Sequence, residues 1–301
     1  SDNVLFYSQL EFEMEADNHV KAGIEFAELT YLIDDKFNFT IGKFLLPFGV
    51  FMPRMHAPWI DRLGGAKPLG FGDYGKIFPS TGTGIKINGG FPLGGASFNY
   101  ELYTTNGFNM KTDGNQVDFK NYVDEENAGK SFGGRLALLP FSNNSLELGF
   151  SYLTGPTGDK IGFDDSKVAL MGADLTYVKA YPAISGAVDL RAQYGNTTTT
   201  DMPTGYNNTG RTASFVQFGY RPTMVESISK FQFVAGYSAM DGASTEGSWG
   251  DELSQLTFGV NYWASWRNVF KIGMQTTDGS DADGVATVKD HTIYFLWALG
   301  L

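Results

Sequence analysis

The chain has 301 residues, no cysteine, 38 glycines, 15% aromatic residues and a formal charge of −11. Its mean hydropathy is −0.18. No apolar run approaches the roughly 18 residues a membrane-spanning helix needs, and an acidic balance without a basic stripe excludes nucleic acid as a partner. Abundant glycine beside abundant Phe, Tyr and Trp suits many strands joined by tight turns, with aromatic girdles at two interfaces. Ser1-Asp2-Asn3 reads as a processed or trimmed terminus, since no secretory leader precedes it. The lack of cysteine agrees with an envelope compartment in which no disulfide is used.

Period-two alternation predicts about fourteen strands in chain order. The first is Val4–Ala16, with Val4, Phe6, Leu10, Phe12 and Met14 on one face and Gln9, Glu11, Glu13 and Glu15 on the other. Val20–Leu32 and Phe37–Phe44 follow, joined by the turn Ile33-Asp34-Asp35-Lys36. The phase slips between Phe26 and Leu29, which reads as a bulge or a misplaced boundary. Next come Gly82–Gly89 and Ser97–Thr105, then Phe132–Leu139 and Leu146–Leu153, then Val168–Val178 and Val188–Gly195. Ser214–Arg221 and Phe231–Met240 flank the turn Pro222–Lys230, and Gln255–Trp263 and Val269–Thr276 flank Ser265–Asn268. The last strand, His291–Leu301, places His291, Ile293, Phe295, Trp297, Leu299 and Leu301 on one face.

Each strand thus has one greasy face, while the opposite faces read as small or polar. In a soluble sandwich about fourteen greasy faces would have to find one another; in a transmembrane barrel each one meets lipid. The connections agree. Phe48–Ser80, Asn106–Ser131, Gly155–Lys167, Thr199–Thr212, Asp241–Ser254 and Thr277–Asp290 are long, with shorter turns between them and Asp17–His19 as the one short exception. The fold expected is all-β, a transmembrane antiparallel up-and-down β-barrel of about 14 strands, with long extracellular loops and short periplasmic turns. Residues 1–301 form one outer-membrane barrel domain, in the outer membrane of a Gram-negative bacterium, with its lipid as the first partner.

The lumen faces carry eight acids (Glu11, Glu13, Glu15, Glu25, Glu101, Glu147, Asp174, Asp189) and six bases (Lys21, Lys86, Arg135, Arg191, Arg221, Lys271). Such a wall does not select anions by itself. The connection Phe48–Ser80 is too long to lack a packing or functional reason. Folded inward, it sets Arg54, Arg62, Lys67 and Lys76 against Glu11, Glu13 and Glu15, a transverse field across a pore constriction. The alternative is that these charges only anchor the loop. Lys86, Arg135, Arg191, Arg221 and Lys271 line the rest of the pore.

No enzyme is expected. His19, His56 and His291 lie apart, and no Gly-x-Ser-x-Gly, His-Glu-x-x-His or phosphate-cradling loop is present. Asp278–Gly284 supplies closely spaced oxygens but lacks the downstream Glu of an EF-hand, so neither metal nor cofactor is expected.

The stretch Phe26–Arg54 contains Ile41-Gly42-Lys43-Phe44 and Pro47-Phe48-Gly49, followed after the long loop by Gly84-Ile85-Lys86-Ile87. Here the chain resembles the phosphate-selective porin O/P family of Gram-negative bacteria, over about 70 residues. The resemblance implies a passive channel, commonly trimeric, with loops folded into the pore. The function expected is diffusion of small hydrophilic solutes or ions. The rival is a structural barrel, an anchor or sleeve for a partner protein, since fourteen strands enclose less lumen than the 16–18 of larger porins.

Overall fold

The computed structural model describes residues 3–14, 19–55, 67–71, 77–110, 117–119, 129–157, 162–204, 209–242, 249–281 and 287–299. Fourteen strands form one antiparallel sheet in strict chain order. They are β1 (Val4–Met14), β2 (Val20–Asp34), β3 (Phe37–Leu45), β4 (Thr81–Leu93), β5 (Ala96–Asn106), β6 (Lys130–Leu139) and β7 (Leu146–Pro156). The second half comprises β8 (Lys167–Tyr181), β9 (Gly186–Thr200), β10 (Gly210–Pro222), β11 (Phe231–Asp241), β12 (Trp249–Ser265), β13 (Asn268–Asp281) and β14 (Thr287–Leu299). This is the up-and-down sheet of an outer-membrane barrel, with β1 and β14 at the two ends of the order.

The sheet inverts the soluble rule. Phe150 is 48% exposed, Phe258 52%, Ile272 55% and Phe295 69%. On the opposite face Gln217 and Gln255 are 5% exposed and Asn261 2%. Apolar side chains outside and polar ones inside require an apolar solvent. Register fixes that arrangement, because a one-residue slip would carry every side chain to the wrong face. Cross-strand pairs keep it: Val260 lies opposite both Phe233 and Ile272, while Asn261 lies opposite both Gln232 and Lys271. Val260→Arg is therefore expected to cost about 2–4 kcal/mol if it sits near the bilayer midplane. The matched lumen change is better made at half-buried Asn88, opposite Glu101, than in the crowded wall at Thr257, which is 5% exposed. Urea unfolding in vesicles reads both, and equal losses for Val260→Arg and Asn88→Arg would contradict the assigned faces.

Aromatic residues mark the short-turn end. Phe91 stacks on Tyr100 at 5.8 Å, Phe231 meets Tyr262 at 5.1 Å, and Phe270 stacks on Trp297 at 5.9 Å. Their polar tips turn to the nearby turns: Tyr100 Oη donates to the Lys36 carbonyl, Tyr220 Oη to the Ile184 carbonyl, and Trp297 Nε1 to Asn268 Oδ1, each at 2.8 Å. An apolar ring with a wet tip is the interfacial signature. The turns themselves follow local chemistry. Asp34 Oδ1 accepts from the backbone N–H of Lys36 and of Phe37, both at 2.8 Å, which closes the β2–β3 turn.

The strands run further than their alternation predicted, above all at the loop end. The β9 strand reaches Thr200 instead of Gly195, and β12 begins at Trp249 instead of Gln255. Beyond the lipid the outer face turns polar (Asn196, Thr198 and Thr200 on β9, Glu252 and Ser254 on β12), so the alternation fades while the hydrogen-bonded ladder continues. The phase slip in β2 is a bulge at Glu25: Gln9 lies opposite Phe26 and Leu10 opposite Ile24. The predicted turn Pro222–Lys230 contains a single helical turn, Glu226–Ser229.

Candidate functional site

The connection between β3 and β4 packs on the polar inner face of the sheet, against β7, β9 and β11. Its start is set by Pro47-Phe48-Gly49. Gly49 has φ +68°, which side-chain-bearing residues rarely adopt, and a Cβ there would overlap the Gln193 side chain. The chain thereby lies flat on the wall. The Gly49 N–H donates to Ser151 Oγ on β7 at 3.0 Å, and the Val50 and Phe51 N–H groups both donate to Gln193 Oε1 on β9 at 2.9 Å. Further on, the Leu69 N–H donates to Ser238 Oγ on β11 at 3.1 Å, and Thr197 Oγ1 on β9 donates to the Ile77 carbonyl at 2.6 Å. Wall side chains thus satisfy loop backbone that would otherwise be buried without partners.

Glycines make the seat. Gly172 on β8 lies directly opposite Gly195 on β9. A Cβ on Gly172 would stand 3.1 Å from the Phe48 ring, and one on Gly195 would stand 2.7 Å from the Phe78 ring. Those two rings stack at 5.2 Å over the paired glycines. Phe71 continues the cluster at 5.0 Å from Phe78 and 5.1 Å from Phe215 of β10, and Phe51 closes it at 6.0 Å from Phe215. The loop-end lumen wall beside them is apolar: Leu153, Val168, Leu170, Ala213, Met240 and Leu253 are all buried. Burying one such ring is worth about 1.5–3 kcal/mol, so the loop is held by several of them together.

At the end of the wide helical turn Phe51–Met55 stands Arg54. Its Nη2 lies 2.9 Å from Glu147 Oε1 and donates to Glu147 Oε2 at 3.0 Å, with the Arg54 side chain 41% exposed. Glu147 also accepts from Arg135 Nη2 at 2.7 Å. Arg135 is gripped in turn by Asp174, from Nε at 3.0 Å and from Nη2 at 2.5 Å. The four charges alternate in sign and cancel. Side-chain exposure falls from 41% at Arg54 to 9% at Glu147, 4% at Arg135 and 0% at Asp174, so the inner pair is shielded from water.

The residues singled out in the sequence fall in different places. Arg54 meets Glu147 of β7 rather than the acidic row of β1, because the glycine seat draws the loop along β7–β11. Glu11 lies on the lumen face of β1 opposite Gly23. Glu13 lies opposite Lys21 by backbone register, with its side chain outside the described residues. Arg62, Lys76 and Glu15 lie outside the described residues, and Lys67 is half-buried. Lys86 faces Glu28 at 3.8 Å and lies 5.1 Å from the Phe44 ring. Arg191 pairs with Asp189 two residues away at 2.9 Å. Lys271 faces inward but is 0% exposed, so it is covered rather than solvent-lining. Arg221 sits at the short-turn end with its guanidinium 5.5 Å from the Trp263 ring. Asp278 lies on β13 and faces Lys289 at 3.1 Å. Glu147 and Asp174 count among the predicted lumen acids but not among the predicted constriction residues; their cross-strand closeness to Arg135 is a register fact that alternation alone does not give.

No family model matches the chain, and no curated protein matches it. Solved structures do. The outer-membrane channel DcaP of Acinetobacter baumannii aligns with a TM-score of 0.61 at 13% identity, over 98% of this chain and 80% of that one. Salmonella typhi OmpF, solved in complex with daunomycin, aligns with a TM-score of 0.59 at 12% identity, over 99% and 86%. An anion-selective porin from Comamonas acidovorans aligns with a TM-score of 0.52 at 10% identity, over 96% and 94%. The chain has the fold of the outer-membrane porins of Gram-negative bacteria.

Proposed function

We propose that this protein is an outer-membrane channel for passive diffusion of small hydrophilic solutes or ions, with its pore narrowed by residues 48–80. The observation that carries the reading is the seat itself. A connection that leaves β3 at the loop end is bound by hydrogen bonds to lumen-facing Ser151, Gln193, Thr197 and Ser238. A segment fixed inside a polar lumen reduces the free cross-section, and the narrowest section governs what passes. Arg54 meets the wall at Glu147, with its side chain 41% exposed. We assign Arg54, Arg62, Lys67 and Lys76 to the moving solute's side of the constriction, with Glu11, Glu13 and Glu15 on the wall away from the seat. Phosphate selectivity is not part of the reading, because Arg135, Arg191 and Lys86 are each matched by a carboxylate.

Planar-bilayer recording tests it. The folded protein should give steady ohmic steps, and neutralising Arg54 and Arg62 together should move the reversal potential toward cation preference. The sleeve reading draws on the apolar packing between the loop and the loop end of the wall. Folded protein that never conducts would establish the sleeve instead. Trimeric assembly rests on the sequence resemblance alone, and cross-linking in detergent tests it.

A further inference from the structure

The short-turn end carries a second feature that neither the fold nor the constriction uses. The β10–β11 turn and the β12–β13 turn enclose a cleft of about 490 Å³ lined by Arg221, Glu226, Ser229, Lys230, Trp263 and Trp266, among others. It is preformed. The Trp263 N–H donates to the Lys230 carbonyl at 2.7 Å, which ties one turn to the other. Trp263 Nε1 donates to Gln232 Oε1 at 3.3 Å and holds the indole in place. Arg221 Nε donates to the Ser229 carbonyl at 2.6 Å, and the guanidinium lies 5.5 Å from the Trp263 ring centroid. The remaining guanidinium nitrogens of Arg221 and the ammonium of Lys230 make no hydrogen bond among the described residues, although both line the cleft. Glu226 stands exposed on the lip. Trp266 is 71% exposed and is capped by Arg267 at 4.2 Å. The arrangement offers unspent N–H donors beside open indole surface, with two cations against one carboxylate in the lining.

We propose that this cleft binds a small anionic group, a carboxylate or phosphate, attached to an apolar or aromatic body. The anionic oxygens go to Arg221 and Lys230, where a planar guanidinium with free donors favours an oxyanion. The attached body lies on Trp266, whose cationic cap leaves one ring face for stacking. Two sources present this chemistry at the periplasmic rim: a solute leaving the pore and the headgroup of an inner-leaflet phospholipid. The site is independent of residues 48–80 and stands whether or not they narrow the pore.

The test uses the full chain labelled with 5-fluorotryptophan, its ¹⁹F resonances assigned with Trp→Phe variants. In detergent, benzoate is titrated to about 10 mM, enough to occupy a site with a Kd of about 1 mM; inorganic phosphate and the cation benzylamine are titrated in parallel. The Trp263 and Trp266 resonances should move saturably with benzoate, more weakly with phosphate and not with benzylamine. Arg221→Gln and Lys230→Gln should each weaken the response by about tenfold, the loss of a charged hydrogen bond. Lys230→Gln removes no side-chain contact, so it decides the matter should Arg221→Gln unfold the turn. In nanodiscs, a shift with phosphatidylglycerol but not phosphatidylcholine, which benzoate fails to displace, names the lipid as the source; displacement by benzoate names the solute. Resonances unmoved by benzoate, phosphate and phosphatidylglycerol, or moved equally by benzylamine, would overturn the site.

Discussion

Removing residues 56–75 should raise single-channel conductance by roughly twofold or more, because the narrowest section sets the resistance of a water-filled pore. The barrel should survive the deletion. The thirteen strand pairings from β1 to β14 run through ladders in which these residues take no part, and the first seat, Gly49 on Ser151 and Val50 on Gln193, stays in place. The deletion takes away Leu69 and Phe71, and with Phe71 a ring that packs on both Phe78 and Phe215. The truncated loop then covers less of the wall. Heat-modifiable gel migration confirms that the variant is folded, and bilayer recording gives its conductance. An unchanged conductance would mean that residues 48–80 leave the narrowest section elsewhere, and the sleeve reading would gain.

The fold was legible because its physics is periodic. Lipid outside and water inside impose a strict alternation, and every strand that crosses the membrane must show it. Ile293, Phe295 and Trp297 on one face of β14 already demanded an apolar solvent, and they are 80%, 69% and 58% exposed. What alternation could not give was strand length beyond the lipid, where Asn196–Thr200 is paired but polar on both faces.

The seat of the inner loop was less legible, although signals for it existed. Val168 and Leu170 break the polar pattern of the lumen face of β8, and Phe215 does so on β10; all three are buried beneath the loop. Apolar residues on a lumen face near the loop end have no reason to be there unless something covers them. Gly172 and Gly195 carried the complementary signal, room for a ring, but only register reveals that they are partners. Charge and place in the loop mark Arg54, yet its partner is Glu147 and not the acidic row of β1. The acidic row Glu11, Glu13 and Glu15 is dense in sequence, whereas Glu147 is a single carboxylate made important by Arg135 and Asp174 on neighbouring strands. A sequence shows charges along one strand and hides those across three.

That cross-strand cluster carries the largest expected effect of a single substitution. Arg135 is 4% exposed and is the shared partner of Asp174, at 0% side-chain exposure, and Glu147, at 9%. Arg135→Gln would leave Asp174 with no ion pair among the described residues and Glu147 with only the half-exposed Arg54. Breaking a buried pair from one side costs about 3–5 kcal/mol, since the remaining charge keeps its desolvation without its partner. Gly149 offers no relief: a Cβ there would already overlap Asp174 Oδ2 and crowd Arg135 Nη2, so the wall has no slack into which the carboxylate could turn. The double variant Arg135→Gln/Asp174→Asn should recover most of the loss, because it removes both charges and retains a donor and an acceptor. Urea midpoints of the vesicle-embedded protein measure both. The same pair separates stability from selectivity. Arg135→Gln alone adds one net negative charge to the lumen and should move the reversal potential toward cations, while the double variant should return it to the wild-type value. If Arg135→Gln costs less than about 1 kcal/mol, the range of a solvent-screened surface pair, the cluster is open to water and the loop does not seal that side of the lumen.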